Sequence, residues 1–189
     1  MVAGAKKRAL AGEFILLFVD ETTLTLHPRL HACWMPRGTQ KCIPTPGQPQ
    51  WHHLFGAYNF VTDEVFVLPA PTKDSDNFIA FLDWLTQQLP GEVPIFLVLD
   101  NASYHHSRAT TAAFALLEPR IQPLFLPAYC SLLNPIERFW LHLKDLATAN
   151  VLYASLAALV DTVRIHLDNQ NVPDHPDRFT LCKHLQLPT

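Results

Sequence analysis

The chain has 189 residues, a formal net charge of −3, a hydrophobic share of 49% and a charged share of 16%. The length suits one compact domain with a sizeable core, and the composition is that of an ordinary globular protein rather than a disordered chain. The weak acidic balance excludes a general basic field for binding nucleic acid. A nucleic-acid partner would therefore need a local basic patch, metal ions or a segment outside this chain.

The cysteines and the apolar runs indicate the compartment. Cys33, Cys42, Cys130 and Cys182 form no C-x-x-C pair, which argues against a zinc knuckle or a disulfide framework and favours a reducing compartment. Basic residues precede the first apolar run, but Glu13 interrupts the pattern and no signal-peptide cleavage site follows. No run is long enough to span a membrane. The sequence predicts a cytoplasmic protein with no membrane partner.

Strand-length and helix-length patterns alternate along the chain. Residues 1–12 lack a core pattern, so we expect a linker remnant there, one domain over residues 13–170 and a Pro-rich tail over residues 171–189. Apolar runs and alternation predict strands, and apolar residues at helical spacing predict helices. The predicted strands are 14–19, 52–59, 65–68, 94–99 and 121–126, and the predicted helices are 78–89, 107–117, one from 134 and one from 155. This order predicts an α/β fold, a mixed five-stranded sheet flanked by helices.

Residues 27–50 form a polar, Pro-rich segment with no long period. Trp34, Arg37 and Lys41 are its candidate anchors or basic contacts. We expect Trp34 and Trp140 to be core anchors rather than platforms for stacking bases.

The start of the helix at residue 134 carries a candidate acid. Asn134 is a favoured N-cap, Pro135 suits the first helical position, and Glu137 is placed to close a capping box. By itself this pattern makes Glu137 a capping residue only. Two upstream acids change that interpretation.

Asp20 and Asp100 each end a strongly apolar run. If the two runs are neighbouring parallel strands, both carboxylates lie at one edge of the sheet, and the helix that carries Glu137 can bring a third. Clustered carboxylates repel one another, and a divalent cation bound between them would offset that repulsion. Three acids without a His or Cys requirement suit a two-metal site for phosphodiester chemistry. Other acids are expected to be solvated; these are Glu21, Asp63, Glu64, Asp74, Asp76 and Asp145.

Three segments extend this pattern over about residues 13–148: FVDET at 18–22, VLDNASYHHS at 98–107 and LPAYCSLLNPIERFWLHLK at 126–144. Together they resemble the DDE catalytic domain of mariner-like transposases, in particular the bacterial insertion-sequence branch of DDE superfamily endonucleases. Asp100 and Glu137 are separated by 36 residues, close to the family spacing. Cys130 and Ser131 depart from the family pattern, which has Ser-Pro at that point.

The resemblance implies a ribonuclease H-like (retroviral integrase-like) fold with Asp20, Asp100 and Glu137 as catalytic metal ligands. It implies two Mg²⁺ or Mn²⁺ ions, cleavage of double-stranded DNA at transposon ends and transfer of the 3′-hydroxyl into target DNA. It also implies a homodimer on DNA, in a bacterial protein that is nucleoid-associated when it acts. No helix-turn-helix pattern precedes the domain, so we expect a fragment, or the second reading frame of a split element with a separately encoded helix-turn-helix segment.

Two accessory residues follow from the same motifs. His105 matches the family histidine five residues after Asp100, and it either orients a substrate phosphate or the metal shell, or makes a structural hydrogen bond. Asn134 is expected to hold Glu137 through the helix cap. The pairs at 52–53 and 105–106 lack the companions of a zinc site.

Two other functions remain open. One is a degenerate or domesticated domain that binds DNA or a partner without nuclease activity. The other is an aspartyl-phosphate phosphatase, suggested by FVDETTL, but that class needs a second Asp where Thr22 stands.

Overall fold

One mixed sheet organises the molecule. The computed structural model describes residues 7–45, 47–127 and 133–181, and within them the strands are β1 (Ile15–Thr25), β2 (Trp51–Asn59), β3 (Val65–Ala70), β4 (Ile95–Leu99) and β5 (Ile121–Phe125). Their order across the sheet is β3-β2-β1-β4-β5. β1 pairs antiparallel with β2 and parallel with β4, β2 pairs antiparallel with β3, and β4 pairs parallel with β5. The predicted mixed five-stranded sheet is confirmed.

The helices begin where the sequence offers capping side chains, with one exception treated below. They are α1 (Ser75–Gln88), α2 (Arg108–Leu117), α3 (Ile136–Thr148) and α4 (Leu156–Gln170). The side chains of Ser107 and Ser155 accept hydrogen bonds from backbone N–H groups in the first turns of α2 and α4. These bonds satisfy amides that have no partner inside the helix, which confirms both predicted helix starts.

β1 is the central strand and is buried on both faces. Leu17 and Val19 pack in the core beneath α1 and α2, whereas Leu16 and Phe18 pack in the core beneath α3 and α4. Because successive side chains of a strand point to opposite faces, the unbroken apolar run of β1 supplies both cores. The same alternation fixes the faces on which the acids that follow must lie.

The segment between β1 and β2 does not supply a core anchor. Trp34 is fully exposed, so its predicted role as a core anchor is wrong, whereas Trp140 is buried as expected. The prolines and polar residues around Trp34 give no apolar stripe, and the segment has no face to pack. The start of the segment is held in place, because Arg29 forms an isolated β-bridge with Ala149 and its Nη1 lies 3.0 Å from Asp145 Oδ1.

The residues after α4 are irregular but packed. Phe179 and Leu181 contact the core beneath α3 and α4, and the backbone N–H of Leu181 donates to Asp63 Oδ1 at 3.2 Å. Asp63 also accepts a hydrogen bond from the hydroxyl of Tyr58 and is buried. The prediction that Asp63 is solvated is wrong, because a segment distant in sequence covers it. In the described part of the chain, no helix is long and apolar enough to cross a membrane.

Candidate active site

The parallel pairing of β1 and β4 brings two of the predicted acids to one region. The register aligns Phe18 with Val98, so Asp20 and Asp100 each follow two residues beyond this pair. Asp20 lies inside β1, whereas Asp100 comes directly after the end of β4. The two apolar runs are neighbouring parallel strands, which is the condition on which the sequence interpretation of the two acids depended.

The environment of Asp20 disfavours its charged form. Burial is the main cause that raises the pKa of Asp20 to about 7; the nearby carboxylates of Glu21, Glu137 and Asp100 contribute to the same rise, and a backbone hydrogen bond opposes it. A carboxylate in this position has too little positive charge around it. Glu137 and Asp100, the other two predicted acids, thus both disfavour the charged form of Asp20, although less than burial and Glu21 do.

Glu137 faces an open pocket from the first turn of α3. The pocket has a volume of about 530 Å³, and both Asp20 and Glu137 line it. Within the described ranges, no side-chain hydrogen bond or ion pair involves Glu137. Asp100 is not among the residues lining the pocket, and its side chain is 48% exposed.

Asp100 is held by a buried histidine. His105 Nδ1 lies 3.1 Å from Asp100 Oδ1, and the backbone N–H of Ala102 donates to the same oxygen at 2.9 Å. The hydrogen bond from His105 is the main reason that the pKa of Asp100 lies below its ordinary value. These contacts fix the carboxylate as an anion.

The other ring nitrogen of His105 contacts a second acid. Nε2 lies 3.1 Å from Glu21 Oε1, and the side chains of His105 and Glu21 are only 1% and 7% exposed. Burial by itself would lower the pKa of His105, but the hydrogen bonds to Asp100 and Glu21 outweigh it and raise that pKa to about 9. His105 is therefore an imidazolium that bridges two carboxylates.

Glu21 is the site residue that the sequence interpretation missed. Its prediction as a solvated acid is wrong, because β1 continues to Thr25 and Glu21 lies within the strand. Alternation along β1 turns Asp20 to the face of α3 and Glu21 to the opposite face, where His105 lies against the ring of Phe78. The buried alternation of Thr22, Leu24 and Leu26 is the signal that could have found it.

Asn134 connects the helix of Glu137 to the strand of Asp20. The predicted capping box is wrong: Pro135 occupies the cap position of α3, and no side chain caps the helix. Asn134 is buried, and its Nδ2 donates to the backbone carbonyl of Val19 at 3.0 Å. Cys130 and Ser131, which depart from the family motif, lie outside the described residues.

Gly56 allows α3 to lie close to the sheet. It pairs with Asp20 across β1 and β2, and a Cβ atom at this position would lie 2.5 Å from Cζ2 of Trp140. The absent side chain leaves space for the indole ring, which lies on the helix that carries Glu137. The distance of Glu137 from the sheet therefore depends on a glycine.

The donor set suits a divalent cation, although no complete metal shell is formed. Across residues 7–45, 47–127 and 133–181, no three His, Cys, Asp or Glu side chains are grouped as a metal site. The raised pKa of Asp20 nonetheless marks a carboxylate that lacks positive charge, and Asp20 and Glu137 share one open pocket. Carboxylate oxygens are the ligands that Mg²⁺ and Mn²⁺ prefer. The residues present therefore fit such an ion.

Comparison with known proteins decides the family. Residues 15–160 match the DDE superfamily endonuclease family. The chain belongs to this family. Because residues 15–160 contain β1 to β5 and α3, the matched region includes the strands and the helix that carry the three acids.

A curated relative supports the same assignment. The DDE chain is 32% identical over 154 residues to an insertion element IS630 uncharacterized 39 kDa protein of Shigella sonnei. The match covers 82% of this chain and 45% of the relative. The chain thus spans about half the length of the curated relative that it matches.

Solved structures share the fold of the DDE domain. The Mos1 mariner paired-end complex with Mn superposes with a TM-score of 0.66 at 15% identity, covering 88% of this chain and 52% of that one. The corresponding complex with Mg superposes with a TM-score of 0.64 at 18% identity, covering 94% of this chain and 53% of that one. A simian T-cell lymphotropic virus intasome superposes with a TM-score of 0.58 at 16% identity, covering 88% of this chain and 50% of that one. The predicted ribonuclease H-like, integrase-like fold is confirmed.

Proposed function

We propose that this chain is the catalytic domain of an insertion-sequence transposase that cleaves DNA strands and transfers the new 3′-hydroxyl into target DNA. The observation that carries the proposal is that Asp20 and Glu137 line one open pocket, while Asp100 follows the strand that pairs in parallel with the strand of Asp20. The pKa of half-buried Asp20 is raised to about 7, first by burial and Glu21 and then by Glu137 and Asp100. This placement supports a site to which two parallel strands and one helix each contribute an acid. Membership of the DDE endonuclease family supports the same chemistry.

In this proposal Asp20, Asp100 and Glu137 hold two Mg²⁺ or Mn²⁺ ions. Bound ions would activate the attacking hydroxyl and stabilise the leaving oxygen of the phosphodiester. Asp20 and Glu137 supply carboxylates from within the pocket, and Asp100 supplies one that is already ionised and oriented. The crystal structures of the Mos1 paired-end complex with Mn and with Mg support the choice of ions.

His105 and Asn134 act as positioning residues in the proposed site. His105 is too deeply buried to contact a DNA phosphate, and it orients Asp100 through Nδ1 while Glu21 holds Nε2. Asn134 fixes the start of α3 against the carbonyl that precedes Asp20. Both residues set the geometry of the acids without touching the substrate.

The partners are double-stranded DNA at the transposon ends and in the target, and a second copy of the protein on that DNA. The complex of Mos1 with a left transposon end supports the choice of DNA partner. End recognition belongs to a helix-turn-helix segment outside these residues, encoded in the same or a separate frame. The protein acts in the bacterial cytoplasm, at the nucleoid.

The test is metal-dependent nicking of supercoiled plasmid by the purified chain. We expect nicking with Mg²⁺ or Mn²⁺, loss of nicking in Asp20→Asn, Asp100→Asn and Glu137→Gln, and full activity in Asp161→Asn, a matched change at an exposed acid of α4. Equal nicking by all variants would show a contaminating nuclease and overturn the site. Binding of DNA by wild type without nicking would favour a degenerate DNA-binding domain.

A further inference from the structure

β3 is the strand at one edge of the sheet. Its inner side pairs with β2, and no strand of the described residues lies on its outer side. In an antiparallel pair, the backbone groups of successive residues point alternately toward the partner strand and away from it. The carbonyl of Glu64 faces β2, where it accepts a hydrogen bond from the N–H of Asn59 at 2.8 Å. The backbone groups of Val65, Val67 and Pro69 therefore point outward, where another strand could pair.

The side chain of Asn171 occupies one end of this outer edge. Its Oδ1 accepts a hydrogen bond from the N–H of Val65 at 2.8 Å, and its Nδ2 donates to the carbonyl of Val65 at 2.9 Å. A side-chain amide offers the same donor and acceptor as a peptide group. Asn171 thus takes the place of a residue of a neighbouring strand, although it lies at the end of α4 and 106 positions away in sequence.

The rest of the outer edge is less protected. Pro69 has no N–H to offer, which shortens the length over which a strand could pair. The N–H and the carbonyl of Val67 have no hydrogen-bond partner on this side within the part of the chain that the structure describes. A groove of about 350 Å³ lies beside this edge, and its walls include the apolar side chains of Trp84 from α1 and of Val163 and Leu167 from α4. Free backbone groups between apolar walls are the arrangement that accepts an added strand.

A second copy of the chain has the properties of the partner that this edge would accept. Two copies of β3 related by a two-fold axis would pair antiparallel, with the free groups of Val67 opposite each other. α4 places Arg164 and Asp168 on the rim of the groove, one helical turn apart. The same axis reverses the direction of α4 in the second copy, so the cation of each copy would lie toward the anion of the other. The two edges thus complement each other in hydrogen bonding and in charge.

We propose that the outer edge of β3 is a latent strand-pairing surface for a second copy of this chain, and that Asn171 keeps this surface closed. If Asn171 only fastened α4 to β3, its removal would lower the stability of the fold without causing self-association. The three acids lie on β1, after β4 and on α3, so the inference does not rest on the proposed function.

Size-exclusion chromatography with light scattering tests the inference on the full chain, without DNA, over a series of protein concentrations. We expect wild type to keep one apparent mass, whereas Asn171→Ala should move toward about twice that mass as the concentration rises. Asn169→Ala is the matched control and should behave as wild type, because the side chain of Asn169 makes no hydrogen bond with any described residue. A wild-type mass for Asn171→Ala at every concentration overturns the inference.

A second substitution separates strand pairing from association through unfolding. Val67→Pro removes the outward N–H and leaves the pairing with β2 intact, because proline is tolerated where the N–H of an edge strand faces outward. Added to Asn171→Ala, it should restore the wild-type mass. Urea unfolding should show that the double variant is no more stable than Asn171→Ala, so that the restored mass does not come from a recovered fold. Association that persists in the double variant overturns the inference.

Hydrogen exchange of the wild-type protein supplies a test that does not depend on how a variant folds. The N–H of Val65 should exchange slowly because Asn171 holds it, whereas the N–H of Val67 should exchange fast because it has no partner. In associated Asn171→Ala, the N–H of Val67 should become protected by the added strand. A slowly exchanging N–H of Val67 in dilute wild type would show that the edge is already covered and would contradict the inference.

Discussion

Asn134 Nδ2 donates a hydrogen bond to the backbone carbonyl of Val19 at 3.0 Å, across 115 positions of sequence. The bond joins the residue before Asp20 to the segment that enters the helix of Glu137. Asn134 thus links the two elements that supply acids to the pocket. Most of the following predictions concern how this geometry is maintained.

Replacing Asn134 by Ala should impair the site more than the fold. The change leaves the buried carbonyl of Val19 without its donor, which costs about 1–3 kcal/mol of unfolding free energy. We expect nicking to fall at saturating Mn²⁺, because Asp20 and Glu137 are no longer held in register. Urea unfolding and the plasmid assay measure the two effects separately. Asn77→Ala, at the half-exposed start of α1, is the control and should retain the wild-type nicking rate.

A methyl group at Gly56 should push α3 away from the sheet. In Gly56→Ala the new Cβ would lie 2.5 Å from Cζ2 and 2.6 Å from Cη2 of Trp140. Overpacking of this kind costs about 1–3 kcal/mol, or several degrees in Tm for a chain of this size. Thermal unfolding measures the loss, and nicking should fall with it as Glu137 is displaced.

Two variants test this cause. Gly47→Ala places a methyl group in open space and should leave the Tm unchanged. Trp140→Phe removes the ring atoms that the new methyl group meets, so Gly56→Ala should cost less in the Trp140→Phe background. A Gly56→Ala protein with wild-type Tm would contradict the close packing.

Removing the imidazole of His105 should leave buried Glu21 without a counter-charge. We expect His105→Leu to lose about 3–5 kcal/mol, since breaking one side of a buried ion pair leaves the other charge uncompensated. Adding Glu21→Leu should recover most of that stability, but nicking should remain low because Asp100 still lacks its contact with His105. His106→Leu, at the exposed neighbouring residue, should leave nicking intact.

The stability of the metal-free protein should decrease as pH rises. The folded-state pKa of Asp20, about 7 against an ordinary 3.8, means that the folded state binds the proton more tightly, so unfolding free energy falls between about pH 4 and 7. The loss has an upper limit of about 4 kcal/mol, at 1.36 kcal/mol per pKa unit. Asp20→Asn should abolish this part of the profile, as urea titrations from pH 4 to pH 9 would show.

His105 should make stability depend on pH over a second, higher pH range. Its pKa of about 9 against an ordinary 6.5 adds stability that is complete below about pH 6.5 and is lost as pH rises through 9. Asp100 has a lowered pKa, so its contribution is present above its ordinary pKa and is lost only in acid. Added Mg²⁺ should stabilise wild type more at pH 8 than at pH 5, where Asp20 is protonated. Equal stabilisation of Asp20→Asn at pH 8 would contradict a metal ligand at Asp20.

Local pattern alone was sufficient for the elements of the fold. The apolar run before Asp20 predicted a doubly buried strand because such a run can be covered only by layers on both faces, and both cores are present. The run before Asp100 predicted a second buried strand, and this strand pairs in parallel with β1. Ser107 and Ser155 gave the starts of α2 and α4, since a hydroxyl that caps a helix acts on amides only three residues away.

The same local reasoning failed where a residue distant in sequence decides the burial or the hydrogen bonding of a side chain. Asn134 has the sequence context of an N-cap, yet its amide bonds to Val19, because burial against β1 places the side chain beside that backbone carbonyl. Glu21 is a polar residue after an apolar run, yet it is buried because His105 brings a charge to it. Trp34 is as apolar as Trp140, but only Trp140 has a face to pack against.

The sequence by itself thus determined which strands and helices form and which acids follow their apolar runs, because hydrophobic period and capping act over a few neighbouring residues. Only the tertiary structure decided how those acids are held. His105 lies between Asp100 and Glu21 and contacts both, and Asn134 donates a hydrogen bond to the carbonyl of Val19. These contacts join residues far apart along the chain. Their energies exist only after the sheet and its helices have excluded water from the space between them.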